Sequence, residues 1–475
     1  MIIIIDVSSS VVVRFIGNYI KNKKMKEATI VGAGLAGSLW AVYLAKAGYK
    51  VTIFERRSDI RLAEITAGKS INLALSHRGW EALRAVGLEE SVNELAIPMY
   101  GRTMHSEEGE LTYQPYGQEG QAIFSVSRGG LNAKMMDIAE KEHGATIKYD
   151  HQCTGADLEN GVVYLTNKVT GEKLEHKSDI VFACDGAYSA IRYKAMQKLD
   201  RFDYSQDFID DGYRELFIPA NPDGSYKIDK NSLHIWPRGR FMLIALANED
   251  GSFTCTLFMP FTGDDNAFDK INTKEKVDAF FKKTFPDFYE MCPDVSSQWG
   301  THPLSSLAIM RCYPWTSGKV ALMGDAAHAT VPFYGQGMNA SLEDCHEMGK
   351  LMEKHNHDWP IIFEEYQKQR KPNADAIQEL SKYNYLVMRD YVADPEFLLK
   401  KKFERRIQEL YPSKYVALYS MVSFSSIPYA EAWKKGMEQN KYIDGIMEKH
   451  DVESLFKQNK IDELIHSIFG IEANA

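Results

Sequence analysis

The segment Gly32-Ala33-Gly34-Leu35-Ala36-Gly37 constrains this chain more than any other feature. It lies between a short apolar run, Ala28 to Val31, and a helical apolar pattern that continues through Leu44; a second strand-like run from Lys50 ends on Glu55, 18 residues beyond Gly37. Three glycines at this spacing between a strand and a helix meet three separate demands. Gly32 permits the tight turn, Gly34 lets backbone approach a pyrophosphate, and Gly37 lets the helix pack on the strand. The helix N-terminus attracts phosphate charge, and an acid at Glu55 suits a ribose hydroxyl. The segment predicts a βαβ unit that binds a dinucleotide, and the acid favours FAD or NAD over NADP.

A chain of 475 residues exceeds what one hydrophobic core holds, so two or three domains are expected. A net charge of -9 argues against a nucleic-acid partner, because affinity for a phosphate backbone rests on clustered Lys and Arg. The six cysteines are scattered, with no C-x-x-C pair and no zinc-type His spacing, and read as buried thiols in a reducing cytoplasm. No metal site is expected. Met1 to Phe15 is apolar but broken by Asp6 and Ser8 to Ser10, and its basic residues, Lys21 to Lys26, follow rather than precede it, the reverse of a signal peptide. Residues 1–24 are therefore read as an extension outside the fold, with Met25 as an alternative start.

Beyond Glu55, helical patterns such as Arg78 to Val86 alternate with loops from Ser70 to about Ala145, and a strand leads into Cys184-Asp185-Gly186. Alternating or continuous apolar runs, Leu233 to Trp236, Phe241 to Ala247 and Phe253 to Phe261, read as antiparallel strands. Strand-turn-helix returns at Val320 to Met323, with a helical pattern from Asn339, and the chain after Trp359 is almost wholly helical. The expected fold is α/β: a Rossmann-like cofactor-binding domain over 25–200 and 300–355, a mostly antiparallel substrate domain over 201–299 with part of 96–125, and a C-terminal helical region over 356–475.

Two further motifs choose the cofactor. Cys184-Asp185-Gly186-Ala187-Tyr188-Ser189-Ala190-Ile191-Arg192 and Gly324-Asp325-Ala326-Ala327-His328, the latter followed by Pro332 and Gly335-Gln336-Gly337-Met338-Asn339, stand in order behind the glycine segment. An isolated Asp-Gly is ordinarily a tight turn. Together the three elements resemble the para-hydroxybenzoate-hydroxylase-type flavin monooxygenases. The resemblance implies bound FAD, with Asp325 on the ribityl chain and Asp185 and Gly186 near the cofactor and nicotinamide path. A helix opening at Gly337 suits a flavin, whose reduced ring carries negative charge that a helix N-terminus stabilises. His328 reads as a structural part of its turn.

Within that group, Lys69-Ser70-Ile71-Asn72-Leu73-Ala74-Leu75-Ser76-His77-Arg78-Gly79, Ile97-Pro98-Met99, Pro115-Tyr116-Gly117, Arg201-Phe202-Asp203-Tyr204-Ser205-Gln206 and Leu233-His234-Ile235-Trp236-Pro237-Arg238 are similar to the kynurenine 3-monooxygenases, a likeness running from about Ala28 to about Ala430. It implies that Arg102 binds the substrate carboxylate, that Tyr116, Asn384 and Tyr419 complete the pocket, and that Phe333 faces substrate near the flavin. Arg suits that task because its guanidinium holds a carboxylate with two parallel hydrogen bonds. Taken alone, Arg102 would read as a surface charge and Phe333 as a core aromatic.

The likeness also places FAD, non-covalently, against Leu35, Ala36, Glu55, Arg56, Arg57, Ala74, Arg128, Cys153, Asp325, Met338 and Asn339, with Cys153 contacting through backbone. The implied reaction is hydroxylation of L-kynurenine to 3-hydroxy-L-kynurenine with NADPH as transient cosubstrate and O2, through a flavin C4a-hydroperoxide, in tryptophan degradation. Eukaryotic members carry a C-terminal membrane anchor, whereas Val452 to Ala475 holds Glu, Lys, Asp and His at helical spacing and cannot span. A cytoplasmic monomer or weak homodimer is expected. The alternatives are a flavin hydroxylase for another small aromatic acid and a non-catalytic, redox-sensing flavoprotein.

Overall fold

A parallel sheet is built on the strand Glu27–Val31, which pairs with Lys50–Phe54 on one side and Ile180–Ala183 on the other. Thr146–Lys148 extends the sheet beyond the first and Val320–Leu322 beyond the second, both parallel, and Thr316–Ser317 closes an edge antiparallel. Parallel neighbours require crossover connections, and the helix Leu35–Lys46 supplies the first, as the glycine spacing predicts. Trp40, Phe54 and Phe182 are buried at its centre. The computed structural model describes residues 25–62, 72–116, 120–263, 266–388 and 394–470; the extension read over 1–24 lies outside them, as do Lys69 to Ile71 and Gly117.

A second, seven-stranded sheet runs in the order Ser305–Tyr313, Asp203–Ile218, Phe253–Pro260, Met242–Ala247, Ser232–Pro237, Gly101–His105, Leu111–Pro115. All its pairs are antiparallel except Ser232–Pro237 with Gly101–His105. Because side chains alternate across a strand, Arg102 and Met104 face one side while Thr103 and His105 face the other. Met104, Leu233, Phe258 and Phe333 pack together on the first side. On the second, Trp236 joins Phe281, Phe285 and Phe288 in a separate core.

The stretch from Ser70 to Ala145 holds more strand than its helical patterns suggest: Asn72–Leu75 and Ile97–Met99 flank Ile123–Ser127 in a three-stranded sheet, and Gly101–His105 and Leu111–Pro115 belong to the large one. These strands are short, and Leu111 and Tyr113 are exposed, so no alternation of apolar and polar residues marks them. A further small sheet, His151–Asp157, Val162–Asn167 and Lys173–Lys177, precedes Ile180–Ala183. The chain then becomes helical: Gly337–Lys354, Trp359–Leu386, Pro395–Leu410, Leu418–Ser423, Tyr429–Met447, Val452–Lys457 and Ile461–Phe469. Among the described residues, no helix is long and apolar enough to cross a membrane.

Candidate active site

Gly32 has φ +101, and a Cβ there would overlap Cys184 O; a Cβ on Gly37 would overlap Gly32 O. Both glycines are demanded by protein packing alone. Gly34 differs, since a Cβ there would meet nothing within 4 Å. From Ala28 to Leu44 every residue is buried except Gly34, Leu35 and Ala36, and the helix they open has no side-chain cap. An apolar, uncapped helix start with one open face fits a bound phosphate group.

Glu55 is 4 % exposed, and both its oxygens are engaged: Oε2 accepts from Ala33 N at 2.9 Å, and Oε1 from Arg57 N at 3.0 Å and Arg57 Nε at 2.9 Å. Burial alone would raise its pKa, but Arg57 and the two backbone amides hold it below the usual carboxylate range. The carboxylate thus fixes the glycine turn and stays anionic, with an acceptor site left on Oε2 for a ribose hydroxyl. Arg56 and Arg57 are exposed beside it.

The other motif elements close on this turn. A Cβ on Gly324 (φ +59) would lie 3.3 Å from Ala36 Cβ, and one on Gly335 (φ +69) 3.2 Å from Ala74 Cβ. Between Val320 and Cys345 the residues left unburied are Asp325, Thr330, Pro332, Gly335 and Gly337, so the openings fall on the motif. Asn339 does not face this space freely: Oδ1 accepts from Ser76 N at 2.8 Å, and Nδ2 donates to Ala74 O and Gly335 O at 2.8 and 2.9 Å. It holds the strand Asn72–Leu75 against the turn, beside buried Met338. Asp185 Oδ2 accepts from Ala190 N at 2.7 Å, while its Oδ1 is buried without a partner; burial raises its pKa. Arg128 is exposed at a helix start. Cys153 is buried in a strand whose first amide, His151 N, donates to Glu55 O at 2.8 Å, and burial pushes its thiol up to about 12.

The aromatic side of the site meets the same turn. The Arg102 guanidinium lies over the rings of Tyr419 and Tyr116, 4.7 and 5.3 Å from their centroids, and those rings stack on each other at 5.2 Å. Tyr334 stacks on Tyr419 at 5.6 Å, and Phe424 packs against both Tyr116 and Tyr419. Among the described residues, Arg102 has no ion-pair partner, and its Nε and the Tyr116 hydroxyl are buried without a hydrogen bond. A buried cation resting on aromatic faces is an arrangement able to take an anion. Asn384 Nδ2 donates to Phe333 O at 2.6 Å, which anchors the turn Pro332–Tyr334 to the long helix, and Phe333 stacks on Tyr385 at 4.1 Å.

His328 is structural here: its Nε2 lies 2.6 Å from Asp344 Oδ2, which also accepts from Gly324 N at 2.9 Å. Burial would raise Asp344, yet His328 and Arg370 hold it down to about 2. Sequence reasoning singled out neither Tyr334 and Phe424 nor the acids Glu343 and Asp344. Tyr334 adjoins Phe333 and Gly335 in the motif, and two adjacent acids inside a mostly buried helix were a signal for buried partners.

The FAD binding domain family matches residues 25–381. Proteins named kynurenine 3-monooxygenase from Christiangramia forsetii and Flavobacterium johnsoniae are 46% and 48% identical, covering 94% and 92% of this chain and 99% and 98% of theirs. One from Sus scrofa is 43% identical over 87% of each chain. Among solved structures, 2-methyl-3-hydroxypyridine-5-carboxylic acid oxygenase is similar at TM-score 0.64 and 20% identity, covering 79% of this chain and 95% of that one, a likeness of fold.

Proposed function

The chain belongs to the kynurenine 3-monooxygenase family, and on that premise we propose that it hydroxylates L-kynurenine to 3-hydroxy-L-kynurenine, with FAD as cofactor and NADPH and O2 as cosubstrates. The observation that supports the substrate is the Arg102 guanidinium, buried between Tyr116 and Tyr419 with no carboxylate partner among the described residues. The α-carboxylate of an amino acid supplies the missing anion, and the guanidinium binds it through two parallel charge-assisted bonds. The hydroxyl of Tyr116 is a second unmet partner for the same group. The aromatic ring of the substrate then extends along the apolar surface of Leu233, Ile244 and Phe333.

Bound FAD supplies transfer of reducing equivalents from NADPH and activation of oxygen. We assign its phosphates to the helix start at Gly34, Leu35 and Ala36, its ribose to Glu55, and its ring region to the openings at Asp325, Pro332, Gly335 and Gly337. The N-terminus of the helix Gly337–Lys354 has no side-chain cap, and its positive potential would suit a reduced flavin ring. Asn384 fixes the Phe333 carbonyl and so would keep the turn Pro332–Tyr334 in one shape beside a bound flavin. Tyr334, Tyr419 and Phe424 form an aromatic cluster beside Arg102 whose apolar surface would exclude water from a bound substrate. All six cysteines are free and buried, which supports a reducing, cytoplasmic location.

The test is NADPH oxidation by the purified FAD-loaded protein with and without L-kynurenine, with the product identified by mass. Stimulation with a product one oxygen atom heavier is expected. Stimulation with hydrogen peroxide alone would make L-kynurenine an effector, and no stimulation would refute the substrate.

A further inference from the structure

Tyr419 and Phe424, which close the aromatic box, lie on a segment, Leu418 to Pro428, far along the chain from Arg102, and something must hold that segment in place. At the surface Ser426 bonds His77 and Glu81, and the buried side chain that holds the segment is Arg78, 1 % exposed in the helix His77–Arg84. Its Nε donates to Val422 O at 3.2 Å, and one terminal nitrogen donates to Ile427 O. These two carbonyls flank Phe424. The other terminal nitrogen donates to Glu343 Oε1 at 2.6 Å, and the guanidinium lies 3.9 Å from the centroid of the Tyr429 ring. Tyr429 in turn donates to Gln336 Oε1 at 2.9 Å, one residue before the helix start at Gly337.

The carboxylate that orients Arg78 is itself fixed from the cofactor side. Glu343 Oε2 accepts from Arg370 at 2.6 Å, Arg370 Nε donates to Asp344 Oδ1 at 2.7 Å, and Asp344 Oδ2 accepts from Gly324 N at 2.9 Å. An unbroken series of buried, charge-assisted bonds therefore runs from the Gly324-Asp325 turn to the backbone that carries Tyr419. Only a planar fork can reach two carbonyls, a carboxylate and a ring face at once, so lysine cannot replace it.

We infer that Arg78 is a positioning residue for substrate: it clamps the Val422 and Ile427 carbonyls so that Tyr419 and Phe424 stay seated on Arg102, and it ties that seating to the cofactor turn. This deepens the proposed function and rests on it for the identity of the substrate. The clamp itself is independent of which aromatic acid binds.

The experiment compares wild type with Arg78→Lys, and with Tyr429→Phe as a milder variant should the first fail to fold. Backbone amide exchange over residues 418–427 is measured in FAD-loaded protein, followed by KM, kcat and peroxide yield with L-kynurenine. Arg78→Lys is expected to retain FAD, to exchange faster over 418–427, to raise KM roughly tenfold with a smaller change in kcat, and to divert NADPH oxidation toward peroxide as water enters. Tyr429→Phe, which loses only the bond to Gln336, is expected to move the same quantities less. Unchanged exchange over 418–427 in folded variants overturns the clamp, as does a fall in kcat with KM and peroxide yield unchanged. Faster exchange in a protein whose wild type ignores L-kynurenine leaves the clamp standing and refutes the substrate instead.

Discussion

Replacing Arg102 by methionine separates a binding cation from a structural one, because the two roles carry opposite signs for stability. The guanidinium is buried over two phenol rings, with no anionic partner among the described residues and an unpartnered Nε. Cation–π contact with Tyr116 and Tyr419 offsets part of its desolvation, at about 0.5–2 kcal/mol per ring. Methionine keeps the apolar stem, fills the same slot and needs no counter-charge. The unfolding free energy of Arg102→Met is therefore expected within about 1 kcal/mol of wild type. Substrate binding loses two hydrogen bonds to a charged group, each worth about 1.5–3 kcal/mol. The combined loss of about 3–6 kcal/mol weakens L-kynurenine binding by roughly two to four powers of ten. The assays are urea unfolding of the FAD-loaded protein, flavin content by absorbance, and L-kynurenine titration of the flavin spectrum. Loss of FAD or of several kcal/mol of stability, with the dissociation constant within about threefold of wild type, would show that the arginine holds the fold and not the substrate.

Two glycines three residues apart, Gly34 and Gly37, should behave oppositely. Gly34→Ala is expected to fold with its midpoint unchanged, since a Cβ there meets nothing within 4 Å and φ is -75, yet to lose FAD affinity by intruding on the open face. Gly37→Ala is expected to destabilise even the FAD-free protein, by about 1–3 kcal/mol, because its Cβ overlaps Gly32 O; urea midpoints and flavin content decide, and a reversed pattern refutes the cradle. On the far side of the large sheet, His105 lies between Asp287 Oδ2 at 2.6 Å and His234 Nδ1 at 2.9 Å, and His234 Nε2 lies 2.7 Å from Asp229 O. Burial lowers His234 from 6.5 to about 4. A folded-state pKa below the unfolded value means that the unfolded chain takes up the proton first on acidification. Stability is thus complete above pH 6.5 and lost progressively down to pH 4, by up to about 3 kcal/mol. His234→Gln should flatten that slope when urea midpoints at pH 7 and pH 5 are compared, and an unchanged slope would assign it to other groups.

Features whose physics is local were readable along the chain. Gly37 is needed because a side chain would strike Gly32 O, and Gly32 because its φ of +101 suits only glycine, although its Cβ would also strike Cys184 O across the sheet. The strands Met242–Ala247 and Phe253–Pro260 are buried nearly throughout, and continuous burial leaves a readable apolar run. Leu111–Pro115 left none, since an edge strand open to solvent can take almost any residue. Arg102, Phe333, Asn384 and Tyr419 could be named from resemblance, but nothing in their own neighbourhoods says that they meet. Only the tertiary structure decided that a cation on one sheet would lie under a ring from residue 419, that the Asn384 amide would be taken by Phe333 O, and that Arg78 would stand between Glu343 and two distant carbonyls. The reason is that burying a charge is tolerable only where partners converge from several elements, and convergence is a property of packing that no single stretch of chain contains.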